Sequence, residues 1–177
     1  MRITTVLFLC ILWTIAPAQK AVFNDISRRL AEGNRMQETS LMHFVSNEVT
    51  NRSFQVNGLT KGTILSIDEP AIEKLISGNN DFIQLTLPVA ERQDLKLNLV
   101  RHQIFSEDFE LYTSDEPGIP NNYTQGIHYK GVIDGDPNSL VAVSVFNNEV
   151  MGLIMTDHGN IILGRLDKDR ENRHILY

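Results

Sequence analysis

The chain holds one cysteine and one tryptophan, and both, Cys10 and Trp13, fall within its first fifteen positions. If that opening stretch is removed, what remains has no thiol, so disulfides, thiolate zinc sites and cysteine nucleophiles are excluded together. Aromatic residues are scarce as well, at 7% of the chain, which leaves a thin platform for stacking on sugars. Long apolar runs are missing too: the one extended run, Ile3 to Ile15, is about 13 residues against the roughly 20 that a spanning helix needs. The formal net charge of −6 is spread without acidic or basic blocks, which argues against nucleic acid and anionic membranes as partners. There is no serine in a nucleophile elbow and no glycine-rich loop opening a helix to cradle phosphate.

What is present begins with a leader. Met1-Arg2 supplies a positive start, the apolar run follows, and Ala16-Pro17-Ala18 places small residues where a signal peptidase reads. The expectation is a signal peptide over 1–18, cleaved between Ala18 and Gln19, with the product secreted to the extracellular space and no membrane attachment after removal. A membrane anchor is the competing reading of the same residues.

The rest reads as one β-rich domain over 19–177, divided into a loosely structured lead-in (19–51), a first β subregion (52–113), a loop (114–124) and a β-meander (125–177). Asp25 to Glu32 offers one or two helical turns closed by Gly33-Asn34. The firm helix is Pro70 to Ser77, with Ala71, Ile72, Leu75 and Ile76 on one face and Gly78 expected to end it in the left-handed conformation. Strands are expected at Ser53–Val56, Thr63–Ile67, Asp81–Leu87, Leu95–His102, Phe109–Thr113, Ile127–Ile133, Leu140–Phe146, Val150–Thr156 and Asn160–Leu166. The fold class is therefore mainly β, an antiparallel β-sandwich or partly open barrel with one short helix.

Candidate chemistry is sparse. Asp134-Gly135-Asp136-Pro137-Asn138-Ser139 opens like a calcium loop, but Ser139 stands where a glycine is needed, Val145 where a bidentate glutamate is needed, and both flanks are strand-like. A polar hairpin turn is the preferred reading. His43, His102, His128, His158 and His174 never take the spacing of a zinc-protease helix, so neither a metal nor a catalytic residue is assigned within this chain. Asn51 and Asn122 satisfy the glycosylation acceptor pattern.

If Asp134 to Ser139 is the connection, the expected register pairs Ile133 with Leu140, Gly131 with Ala142, Tyr129 with Ser144 and Ile127 with Phe146, placing all eight on one face. Leu140–Phe146, apolar on both faces, is then a central strand.

The stretch HYKGVIDGDPNSLVAVSVFNNEVMGLI resembles the propeptide domain of adamalysin (reprolysin) type secreted zinc metalloproteases. The positions that carry the resemblance are Tyr129, Gly131, Ile133, Gly135, Ser139, Ser144 and Gly152. Two cysteines of the animal members fall by position on Ile127 and Phe146, so the chain looks like a cysteine-free, bacterial-like branch, and the cysteine that blocks the catalytic zinc in many members is missing too. The resemblance implies an N-terminal pro-region that assists folding or latency of a downstream catalytic domain. That domain would be the intramolecular partner and would carry the zinc, the chain itself needing no cofactor. The reading from another class is a stand-alone secreted binding module for a glycan or a surface protein, built on the same β-scaffold.

Overall fold

The strands form where β-branched and leucine residues alternate with polar ones, and the computed structural model shows how they meet. It describes residues 18–46, 62–78, 80–90, 93–115, 117–121, 125–167 and 169–177. The leader 1–17, the strand expected at Ser53–Val56 and both glycosylation acceptors, Asn51 and Asn122, lie outside those residues.

In chain order the elements are α1 (Ala18–Ala31), β1 (Gln37–Ser40), β2 (Met42–Ser46), β3 (Thr63–Ile67), α2 (Glu69–Ser77), β4 (Phe82–Leu87), β5 (Leu95–Arg101), β6 (Ile127–Ile133), β7 (Leu140–Phe146), β8 (Glu149–Thr156), β9 (Gly159–Arg165) and β10 (His174–Leu176). The strands join in one sheet of order β1-β4-β5-β6-β7-β8-β9-β10-β3-β2. Leu41 alone separates β1 from β2, yet β1 pairs with β4 at one margin and β2 with β3 at the other. A single bent strand therefore draws the two margins together, and the sheet curls into a nearly closed barrel. Of the two architectures open from the sequence, the barrel is the one found.

The inward positions fill the barrel. Ile83, Leu85 and Leu87 of β4, Leu97 and Leu99 of β5, and Val141, Val143 and Val145 of β7 are all buried in one cluster. Helix α2 adds Ile72 and Leu75 to that cluster, so it stops the barrel interior as the apolar face of its sequence predicts. Its N-cap is Asp68, whose Oδ1 accepts the Ala71 N–H at 3.0 Å. Its exit differs from expectation: Gly78 is extended (φ −84, ψ 158), and its N–H bonds Lys74 O at 3.1 Å. A Cβ on Gly78 would meet the Asn80 side chain at 2.6 Å, so the glycine is kept for room rather than for φ.

The supposed lead-in holds regular structure. α1 runs fourteen residues and lies on the outside of the barrel, with Val22, Phe23 and Ile26 packed on Phe82, Val100 and Val132. Asp25 bonds Arg28 and Arg29 one turn on, and Gly33 (φ 84) closes the helix with Asn34 N–H on Arg29 O and Gly33 N–H on Leu30 O. A second helix thus joins the one expected. Weak hydrophobic periodicity hid all of it but the one or two turns expected over Asp25 to Glu32, because three apolar contacts suffice where a barrel wall is already formed.

Phe109–Thr113 is not a strand. β5 already has β4 on one side and β6 on the other, so the segment has no ladder edge to join. It is held by Phe109 N–H on Ser106 O and Asn121 N–H on Leu111 O. No helix among the described residues is long and apolar enough to cross a membrane.

Candidate functional site: the β6–β7 hairpin and its neighbours

Six of the seven signature positions lie on β6, β7 and their connection, and Gly152 lies on β8. That connection is two successive turns, Asp136 N–H on Ile133 O at 3.0 Å and Ser139 N–H on Asp136 O at 3.3 Å. Ser139 is fully buried, and its hydroxyl oxygen accepts the Ile133 N–H at 2.7 Å while donating to Asp136 O at 2.8 Å. A side chain therefore takes the ladder partner of Ile133, and the strands pair one residue out of the expected register: Gly131 faces Val141, Tyr129 faces Val143 and Ile127 faces Val145. A one-residue slip exchanges the faces. Val141, Val143 and Val145 point inward, while Ala142, Ser144 and Phe146 point outward beside Lys130 and His128. Phe146 does not oppose Ile127. Its ring instead covers Gly126, where a Cβ would come within 2.6 Å of it.

Each of the seven signature positions has a structural task. Tyr129 is buried, and its hydroxyl donates to Asn80 O at 2.9 Å; burial pushes the phenol up to about 12, so it stays a donor. A Cβ on Gly131 would land on the Asn98 carbonyl oxygen and on Leu99, so only glycine lets β5 and β6 approach there. Ile133 packs against the main core and supplies the N–H that Ser139 accepts. Gly135 takes φ 77 in the first turn. Ser144 Oγ lies 2.9 Å from His128 Nδ1. Gly152 faces Val143 and lies 3.4 Å, as a built Cβ, from Leu163.

The turn carboxylates are engaged in the protein's own hydrogen bonds. Asp134 Oδ1 accepts from Asn98 Nδ2 at 2.8 Å, Asp136 Oδ1 from the Asn138 N–H at 3.0 Å, and Asp157 Oδ2 from Asn138 Nδ2 at 3.2 Å. Among the described residues no group of three or more His, Cys, Asp or Glu side chains is placed to hold a metal ion.

The histidines do not converge. His43 Nε2 is 3.2 Å from Asp68 Oδ2 at an exposed position, while His158 lies in the turn between β8 and β9. His174 is fully buried: Nδ1 donates to Asn172 O at 3.1 Å and Nε2 accepts the Val150 N–H at 3.2 Å, which fixes a neutral ring. Desolvation holds it below the ordinary histidine value, against the pull of the Asn172 carbonyl. His128 with Ser144 has the look of a catalytic pair, but the ring offers Nδ1 to the serine and its Nε2 is buried without a partner. A nucleophile of that kind needs its histidine oriented by a third group.

Two polar ties escape a reading of the residues alone. Gln84 Nε2 donates to Asn98 Oδ1 at 2.9 Å, extending the Asn98 to Asp134 bond across β4 and β5 into the hairpin turn, and Asn98 is buried. Arg173 grips both carboxylate oxygens of Asp169, with Nη2 at 2.8 Å and Nε at 3.1 Å, shaping the entry into β10. The clue to the first was the shared outward phase of Gln84 and Asn98, visible only once β4 and β5 are aligned.

Ala18 and Gln19, the residues flanking the expected cleavage, are the first two of α1. No protein-family model matches the chain. It is similar to the mouse disintegrin and metalloproteinase domain-containing protein 18, 27% identical over 85 residues. The matched stretch is 46% of this chain and 12% of that protein, so the chain spans well under two thirds of its relative's length.

Proposed function

We propose that this chain is the pro-region of a secreted zinc metalloprotease precursor, following a signal peptide and serving a catalytic domain that lies elsewhere in that precursor. The zinc and the peptidase chemistry belong to that domain, while residues 19–177 act as its intramolecular partner and are themselves non-catalytic. The observation that carries the reading is the joint one of similarity to a metalloproteinase-domain protein and a signature with six of its seven positions on one hairpin and the seventh, Gly152, on the adjoining β8.

A folding or latency role needs a contact face, and the outward side of the meander offers one. Leu153 faces Ala142 on one side and Ile162 on the other, Ile162 exchanges backbone hydrogen bonds with Tyr177, and Leu153, Ile162 and Tyr177 are exposed in a row, with Met151 beside them. Among the described residues the exposed aromatics do not gather as a sugar platform would require: Phe44 is on β2, Phe109 and Tyr112 are in the segment after β5, and Tyr177 follows β10. That distribution weighs against the glycan-binding alternative.

Physically, contacts with the folded enzyme stabilise it by mass action, and cleavage of the link lowers the effective concentration of the inhibitor. The test is to add purified residues 19–177 to the separately produced catalytic domain of the same reading frame and measure peptide hydrolysis. Dose-dependent inhibition that weakens when Leu153→Asp and Ile162→Asp are introduced is expected. Undiminished hydrolysis at saturating chain, together with unchanged refolding yield, contradicts the proposal.

A further inference from the structure

Between His102 and Tyr112 every residue is exposed except Phe105, so among the described residues it is the Phe105 ring that seats this segment on the barrel. Phe105 meets the edge of His128 at a centroid distance of 6.0 Å and 72°, and His128 meets Phe146 on its other side at 6.0 Å and 78°. Phe109 stacks on Phe105 at 4.3 Å. The histidine is thus the middle ring of an aromatic row that joins the segment to β6 and β7, and the backbone bond from His102 N–H to His128 O, at 2.8 Å, marks where the segment leaves the sheet.

We propose that this segment is an acid-operated latch, closed while His128 is neutral and released when the ring takes a second proton. His128 Nδ1 is occupied by Ser144 Oγ at 2.9 Å, and Nε2 is buried with no acceptor. A second proton puts a charge and an N–H where neither has a partner, and opening the segment is the way to hydrate them. The groups facing the ring do not compensate. β7 presents the neutral Ser144 and the Phe146 ring, and the segment presents Phe105 and His102, which disfavours a charge on His128. Burial first, and His102 second, already hold His128 below the ordinary histidine value of 6.5. The inference stands apart from the pro-region reading, since it concerns this chain alone.

The test follows cleavage after Phe105 by chymotrypsin between pH 7.5 and 5, normalised at each pH to a free peptide spanning residues 100–113. The normalised rate is expected to rise by up to about tenfold per pH unit below roughly 6.5, the limit for release coupled to one proton. His128→Phe keeps the aromatic row without the proton and is expected to flatten the rise, while His102→Gln reduces it. An NMR titration of the unsubstituted chain reads the His128 ring directly, whether or not the variants fold. A flat rate, a rise that survives in His128→Phe, or a His128 ring that titrates at or above 6.5 in the native chain overturns the latch.

Discussion

Ser139 Oγ lies 2.7 Å from the backbone nitrogen of Ile133 and replaces the strand partner that residue would otherwise have. This one hydroxyl sets the register of the hairpin and, through it, which residues of β7 face the core. Ser139→Ala leaves a buried N–H unpaired and is expected to cost about 1–3 kcal/mol in urea unfolding. A loss under a few tenths would mean that the turn, not the side chain, holds the register.

Gly131 and Gly164 make a matched pair of substitutions. A Cβ at Gly131 falls on the Asn98 carbonyl oxygen, so Gly131→Ala must push β5 from β6 and is expected to lower stability by about 3 kcal/mol or prevent folding. At Gly164 a Cβ meets nothing within 4 Å, and Gly164→Ala is expected to change stability by no more than about 1 kcal/mol. Thermal melts of the two variants decide it.

A half-buried ring, His128, and a buried one, His174, give the fold a pH dependence of definite sign. His128 and His174 are both held below the ordinary value of 6.5 by desolvation, so as pH falls the unfolded chain takes up protons before the folded one does. Stability is complete above about 6.5, declines as pH falls towards the folded values, and levels off beneath them. The carboxylates held low by their arginines, Asp25 by Arg28 and Asp169 by Arg173, act only below the ordinary 3.8 and leave this window to the histidines. Urea midpoints between pH 8 and 5 should fall, and His174→Gln should flatten part of the slope.

Asp68 caps α2 through the Ala71 N–H, and α2 seats Ile72 and Leu75 inside the barrel. Asp68→Ala is expected to cost about 1 kcal/mol, and Asp68→Asn much less, by chemical denaturation. Equal losses in the two would point to the exposed His43 contact instead.

Local pattern was enough to find most of this barrel. β3, β6 and β7 fall where alternation and turn residues put them, and the meander from β6 to β9 follows from its three short connections. What the pattern could not reveal depends on partners distant in the chain. β1 and β2 are legible only once β4 and β3 stand ready to receive them, and α1 only once Val100 and Val132 form a wall. β10 exists because β9 and β3 leave a slot between them. The hairpin register failed for a local reason: a serine hydroxyl stood in for a backbone group, which counting residues across a turn does not foresee. The signature positions on the hairpin take part in its packing and turn closure.

Refolding is the most direct trial of the pro-region account. The catalytic domain of the same reading frame is diluted from denaturant with and without an equimolar amount of residues 19–177, and recovered peptidase activity is measured after the chain is digested away. The account predicts several-fold more active enzyme when the chain is present. Equal recovery, with no inhibition before digestion, would contradict it.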